Sequence, residues 1–504
     1  MRINVIQQAK RNIVFGALNK SIVMICPFIE RMVIQNVLGS LYLGLGSLYS
    51  AIISVLSLSE LGFSSAMVYN MYKPAADGDI KKMNALLSFY RKVYRIVGLI
   101  ILALGIAIIP FLPSLVKGDT PPDIKLVNLY LIYLGNTAIS YFLFAYMSSV
   151  IVVHQRDDVK SNINSILKIS LVILQIAILL MTKNYYLFTL LMPLFTIANN
   201  ILIAVRVHRL FPQYKPEGEL SLEDKLAIKK LVAGSFVHRA CGMSRNSLDS
   251  LCISTLFGLS LTAEYNNYYL VCSGVTGFVA LFSTAFTGGV GNHVATKSVE
   301  ENYNEMKRLD FVYLWIGGWC AICMLCLYQP FMELWMGKNM RLSNLSVFLF
   351  CIYFYLLKLG DIRLIYTAAN GLWWEQRYRA IAETIMNLVL NIILGKQFGV
   401  EGIIIATSIS LFLCNYLWSV DITFRAYFSS ERKKDYYHYQ AKQSMVTFVV
   451  GLLTCVICML LPLHSVLLQL IIRGLICVIV PNTCFYLVYR HSELFLYAKH
   501  IIKQ

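Results

Sequence analysis

Apolar runs of about twenty residues alternate with short polar breaks along the whole chain. Runs such as Val97–Val116, Ile163–Met181 and Met445–Leu461 carry few charges, and each is long enough as a helix to cross about 30 Å of hydrocarbon. Reading the runs between breaks predicts fourteen spans: 12–37, 46–70, 93–116, 124–152, 160–182, 184–207, 229–257, 264–290, 309–336, 342–369, 378–398, 400–424, 442–462 and 465–490. The expected fold class is an all-α polytopic membrane protein. A mean hydropathy of +0.63 with only 14% charged residues supports this, and no soluble domain of useful size fits between the runs.

Charge adds orientation. The net charge of +17 does not point to nucleic acid, because the cations sit in short clusters between apolar runs and face lipid head groups instead. With a cytoplasmic N-terminus, 30 of the 44 basic residues fall in inside segments, among them Lys73, Lys81, Lys82, Arg91, Arg209, Lys215, Arg379 and Arg432. Outside segments hold six, and eight lie within spans, a bias that expects both termini to be cytoplasmic. The N-terminal stretch lacks an h-region followed by a small-residue cleavage site, so the first span is expected to drive insertion.

Self-comparison shows a duplication at offsets of 219 to 221 residues. "VIQNVLGSLYLG" (33–44) aligns with "CISTLFGLSLTA" (252–263), placing Gly39 on Gly258 and, by the same register, Glu30 on Asp249. "IPFLPSLVKGD" (109–119) aligns with "QPFMELWMGKN" (329–339), and "HQRDDVKSNINSI" (154–166) with "EQRYRAIAETIMN" (375–387). Two six-helix lobes of equal orientation are therefore expected, at 1–208 and 229–430, with a cytoplasmic linker at 209–228 and two extra helices at 431–504. Such lobes are expected to enclose a central cavity.

Charges within hydrocarbon cost about 2.5–3.5 kcal/mol each, which makes the intramembrane cations the place to look for function. They are Lys20, Arg31, Lys168, Arg239, Arg245, Lys358, Arg363 and Arg473. Lys168 and Arg473, each within about two turns of a span end, read as snorkelling or structural. The repeat register sets Lys20 opposite Arg239, each followed by a carboxylate, Glu30 or Asp249. Eleven residues separate Lys20 from Arg31, so both lie on one helix face. Arg245 and Asp249 are spaced for an i, i+4 pair, and Lys358, Asp361 and Arg363 share the tenth span. Lys20, Arg31, Arg239, Arg245, Lys358 and Arg363 thus form a candidate anion site of the kind that takes phosphate or pyrophosphate. Glu30, Asp249 and Asp361 are candidate ion-coupling carboxylates.

Other chemistry finds little support. Cys320, Cys323 and Cys326 in "WCAICMLC", and the pair Cys455 and Cys458, lie in apolar runs where cysteine acts as a small hydrophobe, so no metal site or cofactor is expected. There is no GxxxxGK[ST] loop, and no outside loop is long enough to carry an enzyme site.

The stretch "LGSLYLGLGSLYSAIISVLSLSELGFSSAMVYNMYKPAADGDIKKMNALLSFYRKVY" (38–94), with "PFLPSLVKGD" (110–119), resembles the polysaccharide-transporter, or O-antigen, flippases of the multidrug/oligosaccharidyl-lipid/polysaccharide exporter superfamily. The resemblance covers essentially the whole length. It implies a non-enzymatic carrier in the bacterial inner membrane. That carrier would flip an undecaprenyl-diphosphate-linked oligosaccharide by alternating access, with membrane lipids, a polysaccharide polymerase and assembly proteins as partners. The related lipid II flippases carry arginines on their first and seventh helices, and that role maps here onto Lys20, Arg31, Arg239 and Arg245 only. The Arg-Asp pairing near the start of those flippases is absent. The alternatives are an ion-coupled small-molecule or multidrug antiporter, a lipid II flippase, and a membrane enzyme of glycan assembly.

Overall fold

A computed structural model describes residues 5–57, 63–461 and 465–503, and every regular element among them is helical. The polypeptide is an all-α polytopic membrane protein. It clusters into two compact units, Met1–Ala263 and Glu264–Gln504. The first contains α1 (Val5–Val37), α2 (Ser40–Leu56), α3 (Phe63–Asp77), α4 (Ile80–Ile108), α5 (Leu126–Phe142), α6 (Ser148–Val153), α7 (Asp157–Thr182), α8 (Tyr185–Leu210) and α9 (Leu222–Phe257). The division falls early in α10 (Leu259–Thr296). The second unit continues with α11 (Val299–Met336), α12 (Asn344–Lys358), α13 (Asp361–Ala369), α14 (Arg377–Ser410), α15 (Ser419–Thr423), α16 (Lys433–Met459), α17 (Val466–Tyr489) and α18 (Glu493–Lys503).

Among the described residues, nine helices are long and apolar enough to cross a membrane, or ten when the pair Leu126–Phe142 and Ala145–Val153, bent by 53°, is taken as one span. Arg377–Phe428 holds two of the predicted spans, parted where Gly399 leaves helical geometry at φ 67°. α1 and α9 follow the predicted first and seventh spans. The predicted third and tenth spans each remain one apolar span, the third passing from α4 into the 3₁₀ turn Ile109–Leu115 and the tenth from α12 into α13, while the predicted second span crosses residues 58–62, which lie outside the described ones.

The helices are amphipathic in the sense that lipid requires. On α7, Ile166, Ile169, Ile173 and Leu180 are exposed while Asp158, Ser165 and Gln175 are buried. α14 repeats the pattern, with Arg379, Glu383, Asn387 and Asn391 inside at i, i+4 spacing and Ile381, Ile385, Leu388 and Ile392 outside. Apolar surface costs nothing against acyl chains, whereas every polar group must find a partner within the bundle.

The duplication is visible in the backbone. Gly39 and Gly258, aligned by sequence, both adopt positive φ, at 99° and 92°, and each ends the first helix of its repeat. Gly118 and Gly337 do the same after the third helix, at 81° and 86°. The turns at Gly39 and Gly258 meet: the hydroxyls of Ser40 and Ser260 share a hydrogen bond of 3.0 Å. α2 packs so closely there that a Cβ on Gly44 would lie 2.0 Å from the Leu259 carbonyl oxygen, and one on Gly258 would lie 2.4 Å from that of Lys117. Gly44→Ala and Gly258→Ala are each expected to lose about 1–3 kcal/mol of stability. Gly16→Ala, with open space around it, should lose none. Thermal unfolding of the purified protein in detergent distinguishes these outcomes, and equal midpoints for all three would refute the close-packing account.

Candidate functional site

α1 positions the first group of candidates. Arg31, half-buried, donates to Ser47 Oγ on α2 at 3.2 Å and to the Ala263 carbonyl at 3.3 Å. Its charge also interacts with the Tyr185 and Tyr133 hydroxyls, which hydrogen-bond each other at 3.4 Å. Tyr42 and Tyr49 pack edge-on against these two rings, and the Tyr42 hydroxyl donates to Asp123. The guanidinium therefore sits among aromatic rings, hydroxyls and a carbonyl, and the Glu30 carboxylate acts on it electrostatically. Lys20 shares its helix but is exposed.

Glu30 is engaged elsewhere. Its carboxylate accepts from Lys168 Nζ on α7 at 2.6 Å, with the two side chains 17% and 26% exposed. Of the two roles that sequence allows Lys168, snorkelling or structural, the structure shows the second: it is the clamp between α1 and α7. On α9, Asp249 is buried and Arg245 half-buried. The side chain of Arg239 and the residue Glu60 lie outside the described residues.

In the second unit the tenth-span trio separates. Lys358 Nζ donates to Asp361 at 2.6 Å, and the Tyr313 hydroxyl donates to the same carboxylate oxygen at 2.5 Å. Arg363 is fully buried and donates to the carbonyls of Asn415 and Tyr416 at 2.9 and 3.2 Å. Those carbonyls belong to the π-helical stretch Leu411–Trp418, whose wider turns leave oxygens available to a side-chain donor. Nearby, Arg379 pairs with Glu383 at 2.7 Å and donates to the Asn415 side chain at 2.8 Å.

Two groups escape sequence reasoning. Charge counting places Arg379 in an inside segment, yet it is 1% exposed. The polar stripe Arg379, Glu383, Asn387, Asn391 in an otherwise apolar helix is the signal that could have found it. Asp310, buried on α11 and hydrogen-bonded by Gln440 of α16, has a partner 130 residues away that no local spacing reveals. The cysteine clusters of the sequence are joined by a third helix: Cys326, Cys458 and Cys477, all buried, bring their sulfurs within 4.8 Å of one another. Their convergence depends on three separate helices, and Cys477 belongs to neither sequence cluster.

At the basic end, a cleft of about 580 Å³ is lined by Tyr69, Lys73, Asp77, Lys82 and Asp224. Lys82 Nζ donates to Asp224 at 3.0 Å, and this bond with that from Ser221 holds the Asp224 carboxyl below the usual carboxylate range. A depressed folded pKa stabilises above the unfolded value of about 4 and is lost as pH falls through the folded value. Protection against hydrogen exchange at the start of α9, corrected for the intrinsic pH dependence of amide exchange, is expected to fall on acidification below about pH 4 in the native chain and to be already low and independent of pH in Asp224→Asn.

For the α1–α7 clamp, Glu30→Ala and Lys168→Ala are each expected to cost about 1–3 kcal/mol, and the double variant much less than their sum. Thermal unfolding of all four proteins measures the coupling. Strict additivity would show that the pair contributes nothing.

The sequence matches no protein-family model and no curated protein. Solved structures do match in fold. A lipid II flippase, MurJ, in an inward closed conformation superposes with a TM-score of 0.69 at 17% identity, covering 95% of this chain and 99% of that one. An inward-facing multidrug resistance MATE family transporter of the MOP superfamily gives 0.62 at 14% identity over 82% of this chain and 98% of its own. A mutant of the Vibrio cholerae MATE transporter VcmN gives 0.58 at 14% identity over 83% and 97%. The chain has the fold that these flippases and transporters share.

Proposed function

We propose that the protein is a flippase that moves a polyprenyl-diphosphate-linked oligosaccharide repeat unit across the bacterial cytoplasmic membrane for surface polysaccharide assembly. The observation that carries this reading is Arg31, an intramembrane guanidinium on α1 set beside a serine hydroxyl, a backbone carbonyl and the Tyr133 and Tyr185 rings, within electrostatic reach of Glu30. A guanidinium there offers two-pronged donation to a pyrophosphate, worth about 1.5–3 kcal/mol per charged hydrogen bond. Lys20 on the same helix and Arg239 and Arg245 on α9 supply the further positive charge. Lys358 and Arg363, committed to Asp361 and to backbone carbonyls, serve to hold the second unit together. The polyprenyl tail stays in lipid while the head group is exposed in turn to each side.

Coverage favours a flippase over an antiporter. The lipid II flippase aligns with 95% of the chain, against 82 to 87% for the multidrug transporters. An antiporter remains the second reading because those transporters share the fold.

Arg31→Ala is expected to reduce glycan export at least tenfold, about 1.4 kcal/mol, with lipid-linked intermediates accumulating and normal protein levels in the membrane. Arg245→Ala should act in the same direction. Native export by both variants would remove the cationic site from the mechanism. Uptake of cationic drugs by proteoliposomes that fail to flip a pyrophosphate-linked glycolipid would establish the antiporter.

A further inference from the structure

Cysteine in a membrane helix ordinarily packs as a small hydrophobe, and one or two such residues need no explanation. The second unit departs from this. Cys326 of α11, Cys458 of α16 and Cys477 of α17 point their sulfurs at one another within 4.8 Å, and all three are at most 5% exposed. Two more lie beside them, Cys455 next to Cys326 and Cys323 next to Cys477. Both are half-buried, so the cluster is reachable from its rim. Five thiols from three helices thus converge on one point.

The second observation is a charge. Arg473 lies one turn before Cys477 on α17 and acts electrostatically on Cys455 and Cys458. Its buried Nε has no hydrogen-bond partner among the described residues. A cation in an apolar helix beside neutral thiols is costly, whereas beside thiolates it is compensated.

We propose that this cluster is a binding site for a thiophilic d¹⁰ metal ion, Zn(II) or Cu(I), with Cys326, Cys458 and Cys477 as ligands. Metal–sulfur bonds of about 2.3 Å set three trigonal sulfurs about 4 Å apart, close to the spacing already present. An all-sulfur donor set selects soft ions over Mg(II) or Ca(II). Each thiol that binds releases its proton to water as the metal–sulfur bond forms. Three thiolates around Zn(II) leave one negative charge, which the guanidinium of Arg473 neutralises; with Cu(I) and two thiolates the balance is the same. Cys455 or Cys323 can complete a fourth position. The ion joins α16 and α17 to α11, so its effect is on the stability of this helix trio.

The full-length protein, reduced, stripped with chelator and purified in detergent, is incubated separately with Zn(II) and with Cu(I), desalted and assayed for metal by mass spectrometry. About one equivalent of either ion is expected, and the ion retained identifies the native class. The Cys326→Ala/Cys458→Ala/Cys477→Ala variant should retain a tenth or less, while Cys272→Ala/Cys351→Ala should retain the full equivalent. A second measurement needs no substitution: bound metal should slow alkylation of Cys326, Cys458 and Cys477 by N-ethylmaleimide at least fivefold and leave Cys272 unaffected. Equal retention by the two variants, no retention by the native chain, or alkylation indifferent to metal would each overturn the proposal.

Discussion

Hydrocarbon offers no hydrogen bonds, and the whole structure follows from that constraint. Backbone groups are satisfied within helices, and side-chain polar groups must be satisfied between them. α7 and α14 therefore turn Asp158, Gln175, Arg379 and Glu383 inward and isoleucines outward. Where the backbone itself breaks helical geometry, a side chain supplies what is missing: Arg363 meets the carbonyls of the π-helical stretch, and Ser254 Oγ donates to the Leu115 carbonyl beside the turn at Gly258.

The same constraint sorts charges by role. An intramembrane cation beside a carboxylate is a clamp, as in Lys168 with Glu30 and Lys358 with Asp361. A cation among backbone carbonyls, such as Arg363, is a bracket for an irregular segment. Arg31 is held by a serine hydroxyl and a carbonyl and lies among tyrosines, while the Glu30 carboxylate that acts on it electrostatically is hydrogen-bonded to Lys168. An anion arriving there adds charged hydrogen bonds to that guanidinium, which is how binding energy becomes available to transport.

Much of the fold was legible in the sequence, because membrane helices announce themselves by length and apolarity. The repeat was legible too, since Gly39 and Gly258 occupy backbone positions that few other residues tolerate. The break at Gly399 was legible, because Lys396, Gln397 and Glu401 interrupt the apolar run there, whereas nothing near Phe142 announces the bend of 53°. At the site, sequence identified which charges lie in the membrane but not which are already paired. Glu30 finds Lys168 across 138 residues, and Cys326, Cys458 and Cys477 meet from three helices. Such pairings depend on how helices rotate against one another, which spacing along the chain does not encode.

The central claim is that an intramembrane cationic pocket around Arg31 recognises a lipid pyrophosphate. Native mass spectrometry of the purified protein with undecaprenyl diphosphate tests it most directly, with undecaprenol as the uncharged control. The native chain is expected to bind the diphosphate at least tenfold more tightly than the alcohol, a preference that Arg31→Ala removes. Equal binding of the two lipids by the native chain, or an unchanged preference in Arg31→Ala, would contradict it.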